Sequence, residues 1–123
     1  MTPAGLNRGV AVSDDEFRQM LAAANAEFRA SLPARIAAID ALWAQVAGGS
    51  GTAAQMEELI LLVHKIAGSA GTFGEAETGE LAAQIEAKLA PLRGAATIQE
   101  AGDRDDIGWL LVRLRKAVTS AGQ

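Results

Sequence analysis

The stretch TAAQMEELILLVHKIAGSAGTFGEAETGELAAQIEAKL, residues 52 to 89, carries two helical patterns with only a short connection between them. Thr52 and Gln55 form a capping box, in which the two side chains satisfy backbone N–H groups that the first helical turn leaves unpaired. Behind it Met56, Leu59, Ile60, Val63, Ile66, Ala67 and Ala70 fall mainly on one arc at about 100° per residue. After Gly74 a second arc follows in Thr78, Leu81, Ala82, Ile85, Leu89 and Leu92. So short a link makes the two helices antiparallel neighbours, a helical hairpin.

The same reading extends in both directions. Upstream, Ser13-Asp14-Asp15-Glu16 is another capping box, and Phe17, Leu21, Ala24 and Phe28 recur at helical spacing. Ile36, Ile39, Trp43 and Val46 continue that pattern beyond Pro33, which either kinks one long helix or sits in the first turn of a second. Gly48-Gly49-Ser50-Gly51 ends the run; no Lys-Ser or Lys-Thr pair follows it, so it reads as a plain loop rather than a phosphate cradle. Downstream, Arg93 to Gly102 is a polar link, after which Asp103 is expected to cap a helix bearing Ile107, Leu110, Leu111, Leu114 and Val118. Trp43 and Trp109 are expected as core anchors. The pattern predicts an all-α fold: an antiparallel four-helix bundle over residues 13–121, with an extra or kinked N-terminal helix, behind a flexible tail of residues 1–12.

Composition agrees and narrows the function. A chain of 123 residues forms one domain with a single core. Half its residues are hydrophobic but only 4% are aromatic, a balance that favours closely packed helices. Fifteen acidic against eleven basic residues give a net charge of −4, which disfavours nucleic acid and anionic membrane as partners. The absence of cysteine excludes disulfide and thiolate chemistry, and one histidine cannot furnish the usual zinc ligands. No window reaches the roughly 18 apolar residues that a membrane span requires, and the N-terminus has no signal-peptide pattern; a soluble, cytoplasmic protein is expected. Glu57-Glu58 and Asp105-Asp106 read as a solvated helix face and a helix N-terminal turn, and no convergent set of acids, bases or ligands suggests a hydrolytic or metal enzyme.

The single histidine, His64, stands at the edge of the hairpin's apolar arc. On its helix Glu57, Leu61, Gly68 and Gly71 lie within about 60° of it, and the centre of the arc is roughly 100° away. A glycine inside a helix costs about 1 kcal/mol relative to alanine, so two of them beside an exposed ring point to space kept for an approaching molecule. An ordinary surface histidine, with Gly68, Gly71 and Gly74 serving helix packing and a C-cap, fits the same residues. The string GSAGTFG imitates a dinucleotide loop, but that motif needs a preceding strand, and here a helical pattern precedes it.

His64, Ile66, Gly68, Ser69, Ala70, Phe73 and Gly74 together resemble the signature of histidine-containing phosphotransfer (HPt) domains, roughly His-x-Leu-x-Gly-Ser-Ser/Ala-x-x-Leu/Phe-Gly. Leu81, Ile85 and Glu86 resemble the family's following helix, and FRASLPARIAAIDALWAQV its first bundle helix, so that the likeness covers about residues 17 to 118. The resemblance implies a monomeric bundle that relays phosphoryl groups between the aspartates of response-regulator receiver domains, or from a hybrid sensor kinase to a regulator. It implies a phosphocarrier without kinase activity, binding no cofactor itself, with magnesium supplied by the receiver. A bundle that binds receivers as an adaptor without transfer is the alternative.

His64 is then the nucleophile, since a neutral imidazole offers a ring-nitrogen lone pair to phosphorus; the resemblance implies Nε2 as the atom phosphorylated. Gly68 supplies clearance and Ser69 a hydroxyl for a backbone carbonyl or a phosphate oxygen, while Leu61, Gly68 and Gly71 are candidate contacts for a docking receiver. The family often has Lys three residues after its His; this chain has Ala67 there. Lys65 is the nearest cation, either curling toward the phosphate or facing solvent about 100° around the helix. Glu86 occupies the place of a polar residue able to orient the imidazole through its other nitrogen, or else belongs to a solvated helix face.

Overall fold

The computed structural model describes residues 12–121, and the expected tail lies almost wholly outside them. Among the described residues there are four α-helices: α1 (Asp14–Ala47), α2 (Ala53–Thr72), α3 (Ala76–Leu89) and α4 (Ala101–Ala121), with a single 3-10 turn, Ala90–Leu92, after α3. α2 packs against α1 and α3, and α4 packs against α3 and α1, which closes the ring of a four-helix bundle.

Both capping boxes form. Ser13 Oγ accepts from the Glu16 N–H at 3.0 Å, while the Ser13 N–H donates to Glu16 Oε1 at 3.0 Å. That backbone donor, helped by the Ser13 hydroxyl, holds the Glu16 carboxyl below its ordinary pKa. Thr52 and Gln55 make the same reciprocal bonds at 3.1 and 3.0 Å, starting α2 where the sequence predicts it. α2 ends in a Schellman motif: the Glu75 N–H donates to the Ala70 carbonyl at 2.8 Å, and Gly74 turns the chain with φ +77°, a conformation that disfavours any side chain. This sharp reversal starts α3 immediately and fixes the hairpin.

The core is built from all four helices. Leu32 and Ile39 of α1 meet Met56, Leu59, Ile60 and Ile66 of α2, Leu81, Ile85 and Leu89 of α3, and Ile107 and Leu111 of α4, all with almost no exposed surface. Ile98, in the link before α4, is buried in the same core, and Thr97 Oγ1 beside it donates to the Val46 carbonyl, near the C-terminal end of α1, at 2.6 Å.

Four expectations are refined. Pro33 lies inside one continuous helix and starts no second one, so the N-terminal pattern adds no fifth helix to the described residues. Phe17 and Leu21 keep the core-facing period of α1 yet remain exposed. The reason is length: α1 has 34 residues and α2 has 20, and the end of α2 meets α1 at Phe28, whose ring stacks on Phe73 at 5.1 Å. The turns of α1 before Ala24 therefore project past α2. Trp109 is not a core anchor but 62% exposed. It follows the buried Ile107 by two residues, about 200° around the helix, and so points away from the core. Trp43, by contrast, is half-buried and packs against the core. Finally, α4 begins at Ala101, so Asp103 lies in its first turn, where its charge opposes the positive end of the helix dipole, rather than at the cap.

Candidate functional site

His64 stands in the middle of α2 with 63% of its side chain exposed. Its immediate neighbours along the helix, Val63 and Lys65, show why: Val63 is fully buried and Lys65 exposed, so the ring sits where the core face turns to solvent. The ring is held from the neighbouring helix. Glu86 of α3 places Oε2 2.6 Å from His64 Nδ1. An ionised carboxylate only accepts hydrogen bonds, so the proton of a neutral ring resides on Nδ1 and the lone pair on Nε2. Nε2 is thereby the nucleophilic nitrogen of this arrangement.

The reach of Glu86 depends on how closely α3 approaches α2. A Cβ added to Gly79 would lie 3.2 Å from the Ala70 Cβ, 3.5 Å from the Gly71 nitrogen and 3.7 Å from the Ala67 carbonyl oxygen. Gly79 and Glu86 are seven residues, two turns, apart and share the α2-facing side of α3. The missing side chain at one turn brings the carboxylate within hydrogen-bond distance two turns later. Sequence reasoning missed Gly79, although a glycine inside so regular a helical pattern is itself a signal of close approach.

Gly68 and Gly71 are different. A Cβ at either position would meet nothing within 4 Å. No contact among the described residues requires them, and the surface next to the imidazole on its C-terminal side is bare backbone. Leu61, one turn before His64, is 46% exposed and supplies the large apolar side chain of this face. Exposed Ala83 and Ala87 of α3 flank Glu86.

The remaining candidates divide. Lys65 is exposed on the α2 surface with no side-chain bond among the described residues, roughly 100° around from His64. Ser69 is not brought to the ring. It is half-buried about 140° around the helix, where it lines a groove with Ala24, Phe28, Ser31, Arg35 and Phe73 between α1 and α2. Ala67, at the place of the family's usual lysine, is half-buried against the core, with its carbonyl under Gly79.

A further pair occupies the same face. Glu57 lies seven residues before His64 and within about 20° of its direction, and it accepts a hydrogen bond from Arg93 Nη1. Arg93 directly follows the 3-10 turn that ends α3, with its N–H on the Ala90 carbonyl at 3.1 Å. Among the described residues no cluster of His, Asp or Glu side chains could hold a metal ion, and no helix is long and apolar enough to cross a membrane.

The family model described as Hpt domain matches residues 24–121, from the bundle-facing part of α1 to the end of α4. No curated protein and no solved structure matches the chain.

Proposed function

The chain belongs to the Hpt domain family, which serves phosphotransfer in phosphorelays and interacts with receiver domains, and from that premise we propose that His64 is its phosphoryl acceptor. The carrying observation is the exposed imidazole whose Nδ1 is bound by Glu86 at 2.6 Å. In the accepting step Nε2 attacks the phosphorus of a receiver aspartyl phosphate; the Nε2–P bond forms as the P–O bond breaks, and the aspartate leaves as a carboxylate. In the donating step a second receiver's aspartate attacks the same phosphorus and the Nε2–P bond breaks. Glu86 keeps the Nδ1 proton in both directions and partly balances the positive charge that the ring acquires when Nε2 is phosphorylated.

Phosphoryl transfer asks mainly for positioning and charge neutralisation. This chain supplies the positioning: Glu86 fixes the ring, and Gly68 and Gly71 leave room for the receiver's loops. The receiver would supply the neutralising magnesium, which would screen the phosphoryl oxygens. With Ala67 in place of the usual lysine, the nearest cation along α2 is Lys65, on the flank about 100° around from His64. We assign the upstream role to a hybrid sensor kinase or a receiver and the downstream role to a response regulator, with the protein acting as a monomer in the cytoplasm.

The test is direct, because the chain has one histidine. A receiver phosphorylated in the presence of magnesium is expected to label the protein with acid-labile, base-stable phosphate, and His64→Gln to abolish the label. Persistent label on His64→Gln overturns the assignment. Receiver binding without any label on the unmodified protein favours the adaptor instead.

A further inference from the structure

Three ion pairs join other elements to the α2–α3 hairpin, Arg29–Glu75, Lys88–Asp106 and Arg93–Glu57, and they differ in exposure. Arg29 of α1 donates to Glu75 at 2.8 Å, and the Glu75 side chain is only 10% exposed, so that pair ties α1 to the turn between α2 and α3. Arg93 and Glu57 are 54% and 52% exposed, and their pairing lies on the His64 face of α2. Exposed pairs of this kind contribute about 0–1 kcal/mol to stability. The fold has little use for it.

Its position gives it another use. Seven residues of α-helix put Glu57 about 10 Å from His64 along the axis, on the same side. A specific protein interface covers about 800 Å² on each partner, a patch reaching roughly 16 Å from its centre. A receiver seated over His64 therefore covers Glu57 and Arg93 whatever its orientation. The face is also lopsided. Two turns before the ring stands an ion pair, and two turns after it is Gly71, with no side chain and open space above. Glu57 engages Arg93 through Nη1, and the other guanidinium donors have no acceptor among the described residues. The turn that carries Arg93 is fixed in turn, by its own N–H on Ala90 and by Ala95 N–H on Leu92 at 2.9 Å.

Resting on the reading of His64 as phosphoacceptor, we propose that Arg93, aimed by Glu57, is a partner-reading residue: it selects receivers that present a carboxylate about 10 Å from their phosphoacceptor aspartate and sets their orientation on the bundle. Glu57 holds the guanidinium in place. Selection comes from a charge at the edge of the docking face, so it acts on encounter and not on the chemical step.

Arg93→Glu and Arg93→Gln separate the two readings. Phosphoramidate, a small phosphoryl donor, needs no docking, and it is expected to label His64 in the unmodified protein and both variants within about twofold. Transfer from the receiver that labels the unmodified protein fastest is expected to lose about tenfold in kcat/KM with Arg93→Glu, less with Arg93→Gln, at a nearly unchanged saturating rate, and the loss shrinks as salt is raised. A receiver variant with that carboxylate reversed to Arg restores the Arg93→Glu protein. Equal kcat/KM for all three proteins, or a fall confined to the saturating rate, overturns the proposal while leaving His64 as acceptor. If phosphoramidate labels His64 but no receiver does, the phosphorelay reading falls and this proposal with it.

Discussion

Gly68 and Gly71 on α2 and Gly79 on α3 occupy adjacent parts of one helical hairpin, yet they are glycines for opposite reasons. At Gly79 a side chain has nowhere to go: its Cβ would press on Ala70 at 3.2 Å with the Gly71 backbone behind it. At Gly68 and Gly71 the space above the helix is empty. The first glycine serves an approach completed within the chain, which brings Glu86 to His64. The other two serve no approach among the described residues. In a helix that gives up about 1 kcal/mol at each such position, the open space beside His64 supports the proposed reading that a partner comes close there. Glycine content alone does not make that distinction; the distance from the absent side chain to its nearest neighbour does.

The comparison can be broken by adding side chains. Gly79→Leu should have the largest effect, because an isobutyl group forced between α2 and α3 separates them: a loss of about 1–3 kcal/mol in the unfolding free energy is expected, read from urea denaturation. The same change should break the His64–Glu86 bond, seen as a shift of the His64 ring nitrogens in NMR spectra. An unchanged denaturation midpoint would show that the approach of α3 is not governed by residue 79. Gly68→Ala should act in the opposite sense. With nothing within 4 Å, the methyl group meets no strain, and helix propensity raises stability by about 0.5–1 kcal/mol. Labelling by a phosphorylated receiver should nevertheless slow, while labelling by phosphoramidate stays. A destabilised Gly68→Ala protein would mean that the space is not open.

Much of this was legible before any coordinates. Hydrophobic period and two capping boxes place α1 and α2, since the core stripe and the cap hydroxyls of Ser13 and Thr52 are local properties of the chain. The motif around His64 leads to the same ring that the structure exposes. What escaped depends on distance between elements. Phe17 and Leu21 carry a core pattern, but exposure follows from where α2 stops, which no period in α1 records. Trp109 looks apolar by type and is outward by two residues of phase. Ser69 satisfies the motif and yet faces α1, because the motif spans about two and a half turns of helix and cannot bring every member to one side. Arg93 was legible only as part of a polar link; its meeting with Glu57, 36 residues away in sequence, needs the 3-10 turn to aim it.

Gly71→Ala is the finest test of the comparison. Gly71 is also open to solvent, so a methyl group there meets no neighbour, and its φ is not positive, so alanine suits its backbone. It sits in the last turn of α2, where its carbonyl accepts the Gly74 N–H at 3.4 Å and the helix is already giving way to the Schellman turn. Helix propensity counts for less at such a position, and the expected gain in stability is only a few tenths of the value for an interior site. Its nitrogen, however, is one of the atoms nearest to Gly79. If the clearance at Gly71 faces outward, Gly71→Ala leaves the His64–Glu86 NMR signature unchanged and slows receiver labelling less than Gly68→Ala does, because residue 71 lies a turn farther from the ring. If the clearance belongs to helix packing, the same substitution perturbs that signature, and Gly71 joins Gly79 on the other side of the comparison.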